Sequence, residues 1–308
     1  MLPRTLRFFV IGAPRDERDA EDIDAVKKVL AAVDLTAVGR RVADRARLVA
    51  EEHGSSLTLV HVFDPAEGAL LDSEEMALFK RTATERAHEL ADWVRARTTV
   101  QVDLAIPSGS PATHVARLAK RADLIVAGTS SLDAGKVGPV TRRLARKART
   151  GLLAVRRQPR RSYQRVLATV DLSDTSRAAL DLAFELAPGA DVFAAYALVS
   201  RFDQMLIDSG RSSSEVEKMH VRRMGKAKEA LEAFVSSHPG VKSIVVSGPP
   251  STALSEMARR RSVDLVTAAS KGSGSSSLVL LGTVAEEVLE AAHCDVAIAS
   301  VNAPFRRP

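Results

Sequence analysis

Two parallel α/β domains in tandem are what this sequence predicts, each a doubly wound five-stranded sheet, the two packed together as a pseudo-dimer. Three observations point there. First, the chain repeats: residues 29–36 read VLAAVDLT and residues 166–173 read VLATVDLS, while ADLIVAG at 122–128 returns as VDLVTAA at 263–269. The first pair is offset by 137 residues and the second by 141, and ordered matches at nearly constant spacing mark a duplication. Second, each copy alternates strand-like and helix-like patterns. Third, several strands, among them VLAAV and ADLIVAG, are apolar on both faces, which suits a parallel sheet covered by helices on both sides.

In the first copy, strands are expected at 28–34 (KVLAAVD), 56–63 (SLTLVHVF), 99–106 (TVQVDLAI), 123–128 (DLIVAG) and 151–156 (GLLAVR). Helical patterns lie between them at 36–53, 74–97, 111–121 and 139–149. In the second copy, strands are expected at 165–171 (RVLATVD), 190–198 (ADVFAAYAL), 241–247 (VKSIVVS), 263–269 (VDLVTAA) and 294–300 (CDVAIAS). Its helices follow at 173–187, 212–237, 251–261 and 283–292. The polar segment RRQPRRSYQ, 156–164, contains Pro159 and joins the copies, so the domains are drawn at 26–157 and 163–302. Residues 1–25 form an N-terminal extension, in which LRFFVI offers an edge strand and GAPRDERDAED a solvated connector. The last strand of each copy is apolar and would otherwise be an exposed sheet edge. The two copies are therefore expected to meet there.

Composition narrows the class. The 308 residues are 45% hydrophobic and 27% charged, as in a soluble globular protein. Aromatic residues are only 4%, which argues against stacking platforms for single-stranded nucleic acid. No apolar run is long enough to span a bilayer, and the short patch after Arg7 is soon followed by charges, a poor signal peptide. A single cysteine, Cys294, excludes an internal disulfide and a cysteine-based zinc site, and its place at the start of an apolar strand makes it a core residue. A cytoplasmic protein with no membrane partner is expected. The net charge of +6 is compatible with anionic partners.

The informative loop follows the fourth strand of the second copy: Ala269-x2-Gly272-x9-Gly282-Thr283, opening an amphipathic helix. In open parallel sheets ligands bind beyond the carboxyl ends of the strands. A helix N-terminus there offers free N–H groups and partial positive charge to a phosphate. Glycines let the backbone approach without a Cβ, and Ser270, Ser277 and Thr283 carry hydroxyl donors. Asp171, at the end of the first strand, only accepts hydrogen bonds when ionised, so ribose hydroxyls or an amino group suit it better than phosphate. Bland readings stand beside these. Thr283 and Glu286 make a T-x-x-E capping box, Asp171 or Ser173 can cap the next helix, and Gly272 and Gly274 can serve a turn.

With this motif and the duplication, the chain resembles the universal stress protein family in its tandem form, over residues 28 to 301. The resemblance implies ATP or a related adenine nucleotide, with or without magnesium, in the C-terminal domain only. It places Asp171 and Ala197 around the nucleoside and Ala269, Gly272, Gly282, Thr283 and Val284 around the phosphates. The first copy departs from the motif, reading Gly128-x2-Ser131-x6-Gly138-Pro139, three residues shorter and with proline where the hydroxyl should be. Asp34 and Val62 keep the nucleoside positions, and Arg142 and Arg143 add charge near the same place. Little or no ATP binding is expected there.

No catalytic or metal site is indicated. The histidines show no metal-ligand spacing, no Gly-x-Ser-x-Gly elbow joins a strand to a helix, and Val137 stands where a P-loop needs Ser or Thr. Slow ATP hydrolysis is left open. The implied role is a regulatory stress-response protein with a protein partner the sequence does not name, and pairing of two chains into a homodimer is compatible with it. The alternative is a nucleotide-free interaction scaffold. A third reading rests on the segment 142–161, nine basic residues and no acidic one, as a surface for RNA or DNA. A solvated helix face followed by a linker is its default explanation, no recognised nucleic-acid motif accompanies it, and nucleic acid is not expected as a partner.

Overall fold

The computed structural model describes residues 26–129, 136–147, 150–199, 205–206, 208–271 and 281–300. The edge strand expected at LRFFVI lies outside them. The first half runs β1 (Lys28–Ala32), α1 (Ala37–His53), β2 (Ser56–Val60), α2 (Ser73–Arg95), β3 (Val102–Ala105), α3 (Pro111–Leu118), β4 (Leu124–Gly128), α4 (Pro139–Lys147) and β5 (Gly151–Val155). The second runs β6 (Arg165–Val170), α5 (Asp174–Leu186), β7 (Asp191–Leu198), α6 (Ser213–Phe234), β8 (Lys242–Ser247), α7 (Pro250–Arg260), β9 (Leu265–Ala269), α8 (Thr283–Ala291) and β10 (Asp295–Ala299). Every expected strand and helix is present, most with ends a few residues shorter; α2 and α7 begin one residue earlier, and 148–149 lie outside the described residues. The shortening matters at β1 and β6, which stop before Asp34 and Asp171, so both carboxylates stand in the turns beyond the sheet.

Local chemistry explains the helix starts. Asp72 with Glu75, and Ser212 with Glu215, form reciprocal capping boxes before α2 and α6. Pro111 and Pro250 open α3 and α7, where a missing N–H costs nothing. Gly54 ends α1 at φ 61°, the left-handed conformation glycine adopts readily.

The ten strands form one sheet in the order β3-β2-β1-β4-β5-β10-β9-β6-β7-β8. Pairing is parallel inside each half and antiparallel at the centre, where Leu152 faces Ile298, Leu153 faces Ala297 and Ala154 faces Val296. The pseudo-dimer thus forms through the last strand of each half. Because side chains alternate across a strand, β5 and β10 feed both faces of the sheet. Leu153, Val155, Ala297 and Ala299 join one core layer, and Leu152, Ala154, Val296 and Ile298 the other. Each layer therefore continues from one half into the next. Burying each such leucine or isoleucine contributes about 1.5–3 kcal/mol.

The polar part of the seam was not legible in advance. Asp295, fully buried at the head of β10, accepts from the backbone N–H groups of Arg156 (2.7 Å) and Arg157 (3.0 Å) and from the Tyr163 hydroxyl (2.7 Å). Arg45 of α1 reaches it from the other half, Nε to Oδ2 at 3.3 Å, lies over the Tyr163 ring at 4.0 Å, and donates to the Arg161 carbonyl. Nearer the helices, Arg142 pairs with Glu290 and Arg146 with Glu286, and Arg156 donates to the carbonyls of Leu289 and Glu290. The reading of 142–161 as a solvated basic face holds for Arg143 and Arg146, which are exposed, and the structure adds that Arg142, Arg146 and Arg156 also reach partners across the seam.

Candidate functional site

At the carboxyl ends of β6, β7 and β9 lies a cavity of about 470 Å³, within the range of small-molecule sites. Asp171, Ala197, Ala269, Gly282, Thr283 and Val284 all line it. Gly272 and Ser277 lie outside the described residues.

The turn after β6 fixes Asp171. Leu172 adopts φ 63°, a left-handed conformation that a leucine takes only where its surroundings enforce it. That turn brings the N–H (3.1 Å) and hydroxyl of Ser173 onto Asp171 Oδ1. Ser173 is also the N-cap of α5, its side chain accepting from Ser176 N. Of the two candidate caps, serine holds the helix, and Asp171 lines the cavity.

The phosphate end is built from α8. Gly282 is its N-cap and Thr283 its first residue, so the alternative reading of T-x-x-E as a capping box does not hold: the hydroxyl of Thr283 stands one position too far into the helix. Glu286, the box's other half, pairs with Arg146 instead. Gly282 donates its own N–H to the Ser270 carbonyl at 2.7 Å, and Ser270 N donates to Ala299 at 2.8 Å. These bonds pin the helix start to the ends of β9 and β10. The N–H groups of the first helical turn have no partner within the helix and point out of its end. Lys271 adds a positive charge at the same place.

Ala269 replaces the motif's glycine, whose counterpart in the first half is Gly128. A Cβ added at Gly128 would sit 2.5 Å from Val38 Cγ1 and 3.0 Å from Val42 Cγ2 of α1. On α5 the repeat places Thr175 and Ala179 at those positions. The glycine of the first half thus answers to helix packing, and the second half has a smaller residue where Val42 stands.

Sequence reasoning missed Tyr196 and Thr169 on the strands, Pro250 and Leu254 on α7, and Lys271. Only Lys271 carried a signal, as a basic residue inside the glycine loop; the others emerge from the crossing of β7 and α7.

The first half has a cavity of about 710 Å³ in the matching position, lined by Asp34 and Val62 as expected. Asp34 Oδ1 accepts from Thr36 N (3.1 Å), Thr36 Oγ1 (2.6 Å) and Gly39 N (2.7 Å). A Cβ on Gly39 would meet the Asp34 carbonyl at 1.8 Å, so this turn requires glycine. Pro139 opens α4 and supplies no N–H. Arg142, expected to add charge to this cavity, is instead bound to Glu290.

Among the described residues no cluster of His, Cys, Asp or Glu could hold a metal, and no helix is long and apolar enough to cross a membrane. The model of the universal stress protein family matches residues 25–156 and again 162–300. Universal stress protein MJ0531 of Methanocaldococcus jannaschii is 30% identical over 143 residues, 44% of this chain and 81% of that protein. A universal stress protein from Archaeoglobus fulgidus superposes with a TM-score of 0.67 at 15% identity, covering 90% of this chain and 97% of the other. PA1789 of Pseudomonas aeruginosa, a protein of unknown function, gives 0.62 at 17% identity, covering 92% and 95%. At these identities the superpositions show a shared fold.

Proposed function

The chain belongs to the universal stress protein family, and on that premise we propose that it is a regulatory stress-response protein whose second half binds ATP or a closely related adenine nucleotide. One observation carries the reading: every motif residue that is described, all but Gly272, lines a single cavity that includes the N-terminus of α8. Each has a part. Asp171, held by Ser173, accepts from ribose hydroxyls or the adenine amino group. Ala197 and the half-buried Tyr196 form a wall for the base. The N–H groups of Thr283 and Val284 face the phosphates with the dipole behind them, and the Thr283 hydroxyl and Lys271 add a donor and a charge. Among the described residues no group is placed as a dedicated general base, so the reading is one of binding, with slow hydrolysis left open.

Mass spectrometry of small molecules released from purified, denatured protein should find an adenine nucleotide. Titration with ATP should saturate near one per chain. Asp171→Ala should abolish most of that uptake, and Asp34→Ala should leave it nearly unchanged. Two equivalent ATP sites, or equal damage from the two aspartates, would refute the assignment. Absence of any nucleotide binding would leave the scaffold reading.

A further inference from the structure

We propose that the cavity of the first half is a binding site of different chemistry: it takes a small aromatic molecule that carries amino or hydroxyl donors and no anionic group. The phosphate end of this cavity has been dismantled in three ways. Pro139 stands where α4 would otherwise offer an N–H. Thr141, close behind it, donates its hydroxyl to the Gly128 carbonyl at 2.6 Å, inside the protein. Arg142 is bound to Glu290 across the seam. The charge of the lining reinforces this. Among the described lining residues, Asp34, Asp64 and Glu67 stand with one guanidinium, Arg86, whereas the second cavity sets Lys271 against Asp171. A concave wall of low dielectric focuses such a field and repels an anion.

What remains is well formed. Phe63 and Phe79 line the cavity with ring centroids 5.2 Å apart at 52°, an arrangement that offers an aromatic ligand both a face and an edge. The lining is rich in acceptors. Among the described residues, Asp34 takes three donors on Oδ1, which leaves Oδ2 to offer a ligand. His61, also in the lining, places Nδ1 3.2 Å from the Val33 carbonyl, which can only accept, so this nitrogen donates to the backbone and Nε2 is the ring nitrogen left for a ligand. Acceptors and aromatic faces, with Arg86 the one lysine or arginine among the described lining residues, select donors on a flat ring over phosphate.

Adenosine and ATP share a ring system and differ in the phosphates, so the pair isolates the anion. Calorimetry on the full chain should show adenosine binding, one per chain, in the presence of saturating ATP. Thr82→Phe fills this cavity from α2. It should weaken adenosine by at least about tenfold, about 1.4 kcal/mol, and leave the ATP isotherm unchanged. Phe79→Ala should weaken adenosine likewise, which guards against a mere folding defect in the first variant. Complete displacement of adenosine by ATP would overturn the proposal, as would binding that Asp171→Ala removes and Thr82→Phe does not, or no adenosine uptake at all. Should ATP itself fail to bind, the reading of the second half falls, and the adenosine titration still decides this one.

Discussion

Replacing Asp295 by alanine tests the seam between the halves. The carboxylate is fully buried and serves two backbone N–H groups, the Tyr163 hydroxyl and the Arg45 guanidinium, itself only 6% exposed. Its removal leaves a buried cation without its counter-charge, and breaking such a pair costs about 3–5 kcal/mol. Three orphaned donors at about 1–3 kcal/mol each would add up to more, but water entering the vacated space recovers part, so the buried-pair figure is the better expectation. Urea unfolding followed by far-UV circular dichroism measures the loss. The single tryptophan, Trp93 on α2, provides a second probe confined to the first half. Its transition should shift with the other, although the mutated residue belongs to the second half, because both core layers run through the seam. Arg45→Met combined with Asp295→Ala should be less damaging than the two changes summed, with a coupling of about 0.5–3 kcal/mol. A loss below about 1 kcal/mol, or strict additivity, would mean the network is ornament on a seam held by β5 and β10 alone.

Thr283→Ala deletes one hydroxyl donor at the proposed phosphate site and should weaken ATP by about 1.5–3 kcal/mol, measured by calorimetry, with the fold intact because Thr283 is not the cap of α8. His53 and His293 should make the protein less stable in mild acid. Burial lowers both below the ordinary 6.5, helped at His293 by Arg157 and Arg259. Their contribution is full above pH 6.5 and is lost as pH falls through the lowered folded values. The urea midpoint should therefore fall between pH 7.5 and 5.5, and a double His→Gln variant should flatten the curve. Cys294 should resist thiol reagents at pH 8 until the chain unfolds, since burial, with the Asp295 charge second, pushes its thiol up to about 12. Its contribution to stability is full below pH 9 and is lost as pH rises from there through the folded value of about 12; rapid labelling of native protein would contradict the burial.

The alternation of elements, the duplication and the use of the terminal strands were all legible because they rest on periodicity and on edge exposure, which are local properties. The glycine loop was legible for the same reason: close backbone approach and a helix start leave a mark in spacing. Long-range partnerships left none. Asp295 reads as a polar residue at a strand start, and nothing near it announces Arg45 or Tyr163. Arg142 and Arg146 read as a basic surface until the fold sets Glu290 and Glu286 beside them. The capping box failed by one position, since T-x-x-E specifies a spacing and not which residue turns out of the helix. Tyr196 and Leu254 come to the cavity from strands and helices that approach only in three dimensions.

The charges along α4 and α8 also decide which half can marry which. The helices start 144 residues apart, so the counterpart of Arg142 is Glu286 and that of Arg146 is Glu290. Here Arg142 meets Glu290 and Arg146 meets Glu286. Exchange a half for its twin from another molecule, and the same geometry sets Arg142 against a second Arg146, or Glu286 against a second Glu290. Like charges then stand where opposite ones stood, and the mismatched assembly is penalised at both positions. The linker keeps the right partner at high local concentration whatever the dilution. A symmetric pair of identical domains must copy each alteration into both of its sites. This chain is free of that rule, and Pro139 could arise in one half without displacing Thr283 from the other.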